Sequence, residues 1–560
     1  MDFFVHAPVP GIDDGTMGRP DYSYRVLLDY FLPVLERLGT VHVVAPEVNP
    51  DRDDWAPDHA GDSQSRVLVF APPHAAAANW PYPAFLVLAF EFDRIPDESW
   101  DDNPKTDWTR VLTGYDGVIA LSSNAFDAVR NAMGPSYPVH LVPTPVFDRI
   151  GPGDDLPRGI TCRGDVLDSR RLVIHDDGLE IVEPHIQRTR EWNGERVCVT
   201  LTRDAHSRAL VVGGYPPERE GVWSRWPAMT IVLPFSVEGR VSLTISLAGL
   251  ARNCGREIQV ELGGATGSLI PSAGIEERTV VLRVPQPSSA LTLSGIDASG
   301  DPEGRDPRSL GVLVKSVSVQ RRARLPHRRR REVAETDLPE PGSRDFSVEL
   351  EGVVFTTVLN PVDTRKNWQD IVTAFVDALR DDAEATLVLK MVHGDRDSFA
   401  PDLLQLLYAL GPMKCRVLAV RGYLTDDELR NLISATSYYV NASSGEGQCL
   451  PILEFMAAGV PAIAPHNTAM ADYLNPANSL EVRSSAQPAP WPQDPRLMWR
   501  TISHRIDWGS LRSAFVLARD VISADPHRYE AMSLRATADC RTYCADEVVG
   551  DSLAQVLDRS

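Results

Sequence analysis

Tyr438–Ala464 reads YYVNASSGEGQCLPILEFMAAGVPAIA. It opens on an apolar run suited to a buried strand and turns at Ser443-Ser444-Gly445-Glu446-Gly447. A helix then starts near Pro451 and ends at Gly459, and a second strand enters at Pro461-Ala462-Ile463. Proline suits a first helical turn because its missing N–H would be unpaired there anyway, and glycine just past the last turn closes it without a side-chain clash. Strand, loop, helix and strand in this order form one unit of a parallel sheet covered by helices.

The same alternation extends outward from this unit. Upstream, Val353–Leu359 reads as a strand, and Trp368, Ile371, Val372, Phe375, Val376 and Leu379 recur at helical spacing. Strands follow at Thr386–Val392 and Arg416–Val420, with a helix over 402–410 between them, and Thr425 with Glu428 forms a capping box ahead of another helix. Residues 1–147 repeat the pattern: a helix through Tyr24, Leu28, Phe31, Leu35 and Leu38, then strands at Val41–Val44, Phe85–Phe90 and Gly117–Leu121. Ser122 or Ser123 caps the helix after the last of these.

Between the two halves, residues 150–320 change period. Val241, Leu243, Ile245 and Leu247 alternate with Ser242, Thr244 and Ser246, as a half-buried antiparallel strand demands. Similar short strands are expected at 229–235, 258–262, 279–284, 291–293 and 310–319, which together read as a β-sandwich. Residues 321–345 break all periodicity and read as a linker, with seven arginines between Arg321 and Arg331. Contact of Arg321–Arg331 with anionic lipid or a phosphate-bearing acceptor is one reading of that run; a solvated connector is the other. The expected organisation is therefore 1–147, a Rossmann-like acceptor-side half; 150–320, an inserted sandwich; 321–345, a linker; 346–540, a second Rossmann-like half; and 541–560, a helical tail.

The formal charge of −21 disfavours binding of nucleic acid, whose phosphates are held by clustered Lys and Arg. The seven cysteines are odd in number and scattered, which reads as buried thiols rather than a disulfide frame. Cys540 and Cys544 stand four apart, but no second Cys/His pair completes a zinc set, so no metal is expected. MDFFVHAPVPG lacks a basic stretch followed by an apolar core, and no run nears the roughly 18 apolar residues of a membrane span. The expectation is a cytoplasmic protein, with contact at the inner membrane face left open.

The loop at 443–449 has its own chemistry. Unpaired N–H groups and the helix dipole at a helix N-terminus, here around Gln448, Cys449 and Leu450, attract a diphosphate, and Gly445 and Gly447 allow it close to the backbone. Glu446 can accept hydrogen bonds from sugar hydroxyls, and Glu454, eight positions on, from a ribose.

Glu446-Gly447-x-x-Leu450-Pro451-x-x-Glu454-x-Met456-Ala457-x-Gly459-x-Pro461 resembles the signature of retaining family 4 (group 1) glycosyltransferases, which have the GT-B fold. The resemblance covers roughly residues 1–147 and 345–540. It implies an α/β GT-B architecture of two Rossmann-like domains facing a cleft, here with an inserted antiparallel β-sandwich domain. It also implies transfer of a sugar, with retention and without a metal or other cofactor, from a nucleotide-diphosphate sugar to a glycan or lipid-linked acceptor.

Val358–Asn367 resembles the loop in which such enzymes hold the diphosphate, with Lys366 at the lysine position, Arg365 beside it and Asn360 where an arginine is usual. Cationic charge there stabilises the departing diphosphate. Gly422-Tyr423-Leu424 resembles the loop that receives the base, and Val392-His393-Gly394 the turn after the preceding strand. In the N-terminal half, Asp14 and Gly15 fall in the place of the family's glycine-rich acceptor-side loop, and Glu91 stands where relatives carry a histidine. Glu91 can orient an acceptor, stabilise a cationic sugar ring, or serve as a structural acid. Trp223 and Trp226 suit either sugar stacking or packing. Two other readings stay open: an epimerase or hydrolase on the same scaffold, and a non-catalytic glycan-binding protein.

Overall fold

Near-continuous apolar runs form the two parallel sheets of the chain, because strands covered by helices on both faces have no solvent side to keep polar. The computed structural model describes residues 1–8, 22–51, 55, 65–150, 159–175, 178–181, 192–203, 209–225, 227–297, 306–322, 333–334, 344–393 and 399–558. The described chain forms two units: Met1–Asp165 with Asp345–Arg396 and Lys414–Ser560, and Val166–Arg344 with Asp397–Met413.

The first unit holds both parallel sheets. Its N-terminal sheet consists of β1 (Asp2–His6), β2 (Thr40–Val44), β3 (Arg66–Phe70), β4 (Ala84–Leu88), β5 (Gly117–Ala120) and β6 (Val139–Leu141), in the order β2-β1-β3-β4-β5-β6. All neighbours are parallel. Helix α1 (Tyr22–Leu38) buries Leu28, Phe31 and Leu35 against Val5, Leu68 and Phe70. Helix α3 (Ser123–Met133), which follows α2 (Trp108–Leu112), is capped by Ser122, whose hydroxyl accepts the Ala125 N–H at 3.2 Å.

The second sheet runs Arg416–Arg421, Ala385–Met391, Val353–Leu359, Tyr438–Val440, Ala462–Ala464, Ser479–Glu481, again parallel throughout. Two further strands, Gly159–Asp168 and Arg344–Glu349, extend it beyond Arg416–Arg421. They are the segments through which the chain leaves for the insert and returns. The class is mixed α/β with two parallel sheets, the layout of a GT-B fold. The capping box at Thr425 forms in full, its hydroxyl taking the Glu428 N–H while the Glu428 carboxylate takes the Thr425 N–H at 2.7 Å.

Several boundaries differ from the sequence reading. Helix Ala400–Leu410 groups with the second unit. The expected break at 540 falls inside helix Pro526–Cys544. The last helix, Asp546–Asp558, is no free tail: Val549, Leu553 and Leu557 join the core beneath β1 and α1.

The second unit centres on one mostly antiparallel nine-stranded sheet around a single core, with a separate two-stranded hairpin, Leu172–His175 and Gly178–Ile181. The expected strands 229–235 and 241–247 are one strand, Ala228–Gly249, and those at 279–284 and 291–293 are one strand, Glu276–Ser294. Register shifts on either side of Val237 bend the pair, and Gly239 at φ +78° takes the turn that a side chain would resist. Bulged strands of this kind pass from one layer to the next around a common core. Trp223 is half-buried in strand Val222–Trp223, whereas Trp226 lies outside the described residues. Of the arginine run, Arg321 lies over the Trp192 ring, 5.4 Å from its centroid, and 323–332 fall outside the described residues.

One of the elements of the first unit with no counterpart in the sequence reading is a hairpin. Ser484–Pro490 and Arg500–Ile506 pair as an antiparallel hairpin. Its far end places Trp491 and Trp499 in the N-terminal core, where Trp491 meets Trp100 and Trp108 edge-on at 5.9 and 5.5 Å.

Candidate functional site

Two loops at the carboxyl ends of parallel strands build the site. After Val353–Leu359, the Asn360 carboxamide oxygen accepts the Val362 N–H at 3.2 Å, and Asp363 caps the short turn Thr364–Lys366. Asn367, at φ +48°, donates to the Ala442 carbonyl (2.8 Å) and the Ser444 hydroxyl (3.3 Å). The Ser444 N–H donates to the Arg365 carbonyl at 2.9 Å. These bonds fasten the 360–367 loop to the 441–449 loop, which brings Lys366 to Glu446 across 80 positions of sequence.

Lys366 Nζ donates to both Glu446 oxygens at 2.7 and 2.8 Å, and Asn441 donates to one of them at 3.0 Å. Burial alone would raise the Glu446 carboxyl. The Lys366 and Arg365 charges with these hydrogen bonds outweigh it, so the group is held below the ordinary carboxylate value. Burial opposes the Lys366 charge, and Glu446 more than restores it. Arg365 turns the other way: its guanidinium contacts Glu91 at 2.9 Å, Asp363 at 2.7 Å and the Gly445 carbonyl at 3.0 Å. Burial raises the Glu91 carboxyl despite that neighbour.

Glu454 lies one turn into helix Leu450–Ala457, is 8% exposed, and accepts a hydrogen bond from the Tyr30 hydroxyl of α1. Burial raises its carboxyl, with Tyr30 and Arg149 opposing. Arg149 lies over the Tyr30 ring at 4.6 Å and pairs with Asp426 at 3.0 Å. Gln448 bonds both the Thr144 hydroxyl and, at 3.2 Å, the Leu121 carbonyl. Burial pushes the Cys449 thiol well up, and the residue opens the helix at φ +63°. Leu450 packs against the core that includes α1. A Cβ on Gly447 would meet the Phe90 nitrogen at 2.9 Å, and one on Gly445 the Glu91 carbonyl at 3.1 Å. The close approach these glycines permit is, in this structure, to the backbone beyond β4.

Tyr423 is exposed, and its carbonyl accepts from the Cys162 thiol; Leu424 and His393 are half-buried. Asp14 and Gly15 lie outside the described residues. Tyr30, Thr144, Arg149, Asp426 and Asn441 all bear on the site without having been anticipated. Asn441, five positions before Glu446, was the one within reach of a local reading. Among the described residues, no group of three His, Cys, Asp or Glu could hold a metal ion, and no helix is long and apolar enough to cross a membrane.

This strand–loop–helix segment and the loop that faces it fall within one recognisable stretch. Residues 351–487 match the family model for "Glycosyl transferases group 1". No curated protein matches the chain. Solved structures with some likeness include the pneumococcal O-GlcNAc transferase GtfA with UDP and GlcNAc, at 14% identity over 37% of this chain and 36% of that one, with a TM-score of 0.28. Sucrose-phosphate synthase from Thermosynechococcus elongatus shows 19% identity over 38% and 46%, with a TM-score of 0.29. HepE from Anabaena, with UDP and glucose, shows 15% identity over 38% and 49%, also at 0.29. The chain spans less than half the length of each.

Proposed function

We propose that the chain is a glycosyltransferase that takes a sugar from a nucleotide-diphosphate donor to a glycan or lipid-linked acceptor, with retention and without a metal. The observation that carries this reading is the Lys366–Glu446 pair, with Glu446 buried and Lys366 largely so, just ahead of a helix N-terminus and inside the segment matched by the group 1 family model. In the reaction, the bond from the anomeric carbon to the diphosphate oxygen breaks, and its electron pair leaves with the diphosphate. The acceptor oxygen bonds to that carbon, and its proton passes to the departing phosphate. Lys366 stabilises the charge that builds on the diphosphate, the role a metal plays elsewhere. Glu446 aligns sugar hydroxyls, and Glu454 takes the ribose once Tyr30 yields it.

The test is calorimetric titration of nucleotide-diphosphate sugars against wild type, Lys366→Ala and Glu454→Ala, followed by transfer assays with and without EDTA. Binding that weakens at least tenfold in both variants supports the reading. Equal binding in all three, or turnover abolished by EDTA and restored by a divalent metal, overturns it. A second reading, non-catalytic binding of glycans, is favoured by the full pairing of Glu446 and Glu454 inside the protein. It predicts donor binding with no transfer and no hydrolysis.

A further inference from the structure

The base of the hairpin 484–506 forms one wall of a cavity of about 870 Å³ in the first unit. Its opposite wall includes Ser444 and Asn367. Ser444 is two residues from Glu446, and Asn367 is next to Lys366, so the cavity begins at the paired residues without containing them. The His504 N–H donates to the Ser444 carbonyl at 2.9 Å, which fixes the hairpin to the Glu446 loop. The volume lies within the range of small-molecule sites.

The lining is unusual in kind. Neutral polar side chains recur: the hydroxyls of Ser485 and Ser503 and the carboxamide of Gln487, beside Asn367, Ser444 and Ser484, whose polar groups are engaged within the protein. Its charges balance, two arginines against two aspartates: Arg483 pairs with Asp507 at 3.0 Å, and Asp370 feels the charge of Arg505. Burial lowers His504, which leaves a neutral ring able to donate or accept. Trp508 is 37% exposed at the cavity, with its indole N–H engaged by the Thr373 hydroxyl at 2.9 Å. A phosphate or nucleic-acid ligand would need a surplus of cations that this wall lacks. A ring with many hydroxyls and an apolar face meets what is there: hydroxyls and amides for the former, indole for the latter.

We propose that this cavity binds a short neutral glycan, held by the hairpin 484–506 and presented to the Lys366–Glu446 pair as acceptor. The acceptor role rests on the reading under Proposed function, whereas glycan binding does not. The experiment uses the full chain without donor. Saturation-transfer NMR with maltotriose, cellotriose, mannotriose and triacetylchitotriose tests binding, inorganic phosphate serves as the anionic probe, and UDP binding is followed separately.

At least one trisaccharide is expected to bind, and to bind at least tenfold more weakly to both Trp508→Ala and the cavity-filling Ser503→Trp, with UDP binding and melting temperature unchanged. No binding of any trisaccharide, binding indifferent to both substitutions, or phosphate binding in the sugars' place overturns the proposal. If the trisaccharide binds as expected while no nucleotide sugar does, the cavity stands and the transferase reading falls.

Discussion

The hydroxyl of Tyr30 donates to the carboxylate of Glu454, so residues 424 positions apart share one buried hydrogen bond between the first helix and the helix that follows the Glu446 loop. Tyr30→Phe leaves a buried carboxyl short of a partner, which costs about 1–3 kcal/mol. Urea unfolding measures it. The same substitution removes the group that competes with a ribose for Glu454, so nucleotide-sugar binding should tighten several-fold even as the protein weakens. Binding that loosens in step with stability would sink the competition.

Lys366, half-buried, and Glu446, buried, are each other's compensation. Lys366→Met alone strands a charge and should cost about 3–5 kcal/mol, whereas Lys366→Met with Glu446→Leu should cost clearly less than the two single changes added. A double-mutant cycle in denaturant checks this; strict additivity would show that the pair is not coupled.

Stability against pH should have two limbs of opposite sign. Glu446 is held below its ordinary value of 4.5, so its contribution is present above that pH and is lost as pH falls through the lower folded value. Glu454 and Glu91 are raised above 4.5, so the folded chain favours their protonated forms and loses stability as pH climbs from 4.5 through their folded values. Glu446→Gln should flatten the acid limb and Glu454→Gln the upper one in unfolding curves across a pH series. A slope unchanged by either substitution would contradict the assignment.

Trp491 is 2% exposed among Trp100, Trp108 and Trp499. Trp491→Ala should cost about 3–5 kcal/mol at this contact. Hydrogen exchange should rise first in Ser484–Pro490 and Arg500–Ile506, before the parallel sheets open. Uniform loss of protection across the unit would show that the hairpin is not a separable fastening.

What was legible in the sequence was local. Pro451 and Gly459 bracket their helix because each suits one end of it, and Thr425 with Glu428 forms its box because both partners lie within one turn. The residue types at Lys366, Glu446 and Glu454 were readable, but their partners were not, since Tyr30 and Arg149 reach Glu454 only through the fold. Pro285 lies in the gap between the expected strands 279–284 and 291–293, yet Glu276–Ser294 runs through it as one strand. No element was expected over 484–490, which carries Pro488 and Pro490; a two-stranded hairpin has free edges on which proline costs no ladder bond.

The strands that lead out to the insert and back, Gly159–Asp168 and Arg344–Glu349, are neighbours at one margin of the second parallel sheet, with Thr161 and Ser347 joined through their hydroxyls at 3.2 Å. The ends of a segment of well over a hundred residues are thus one interstrand spacing apart, about 4.8 Å. A gap of that size is closed by a tight turn. The chain can therefore leave the α/β framework and rejoin it at one margin of the sheet without rerouting the strands that precede the Lys366 and Glu446 loops, although helix Ala400–Leu410, which groups with the second unit, comes from within that framework.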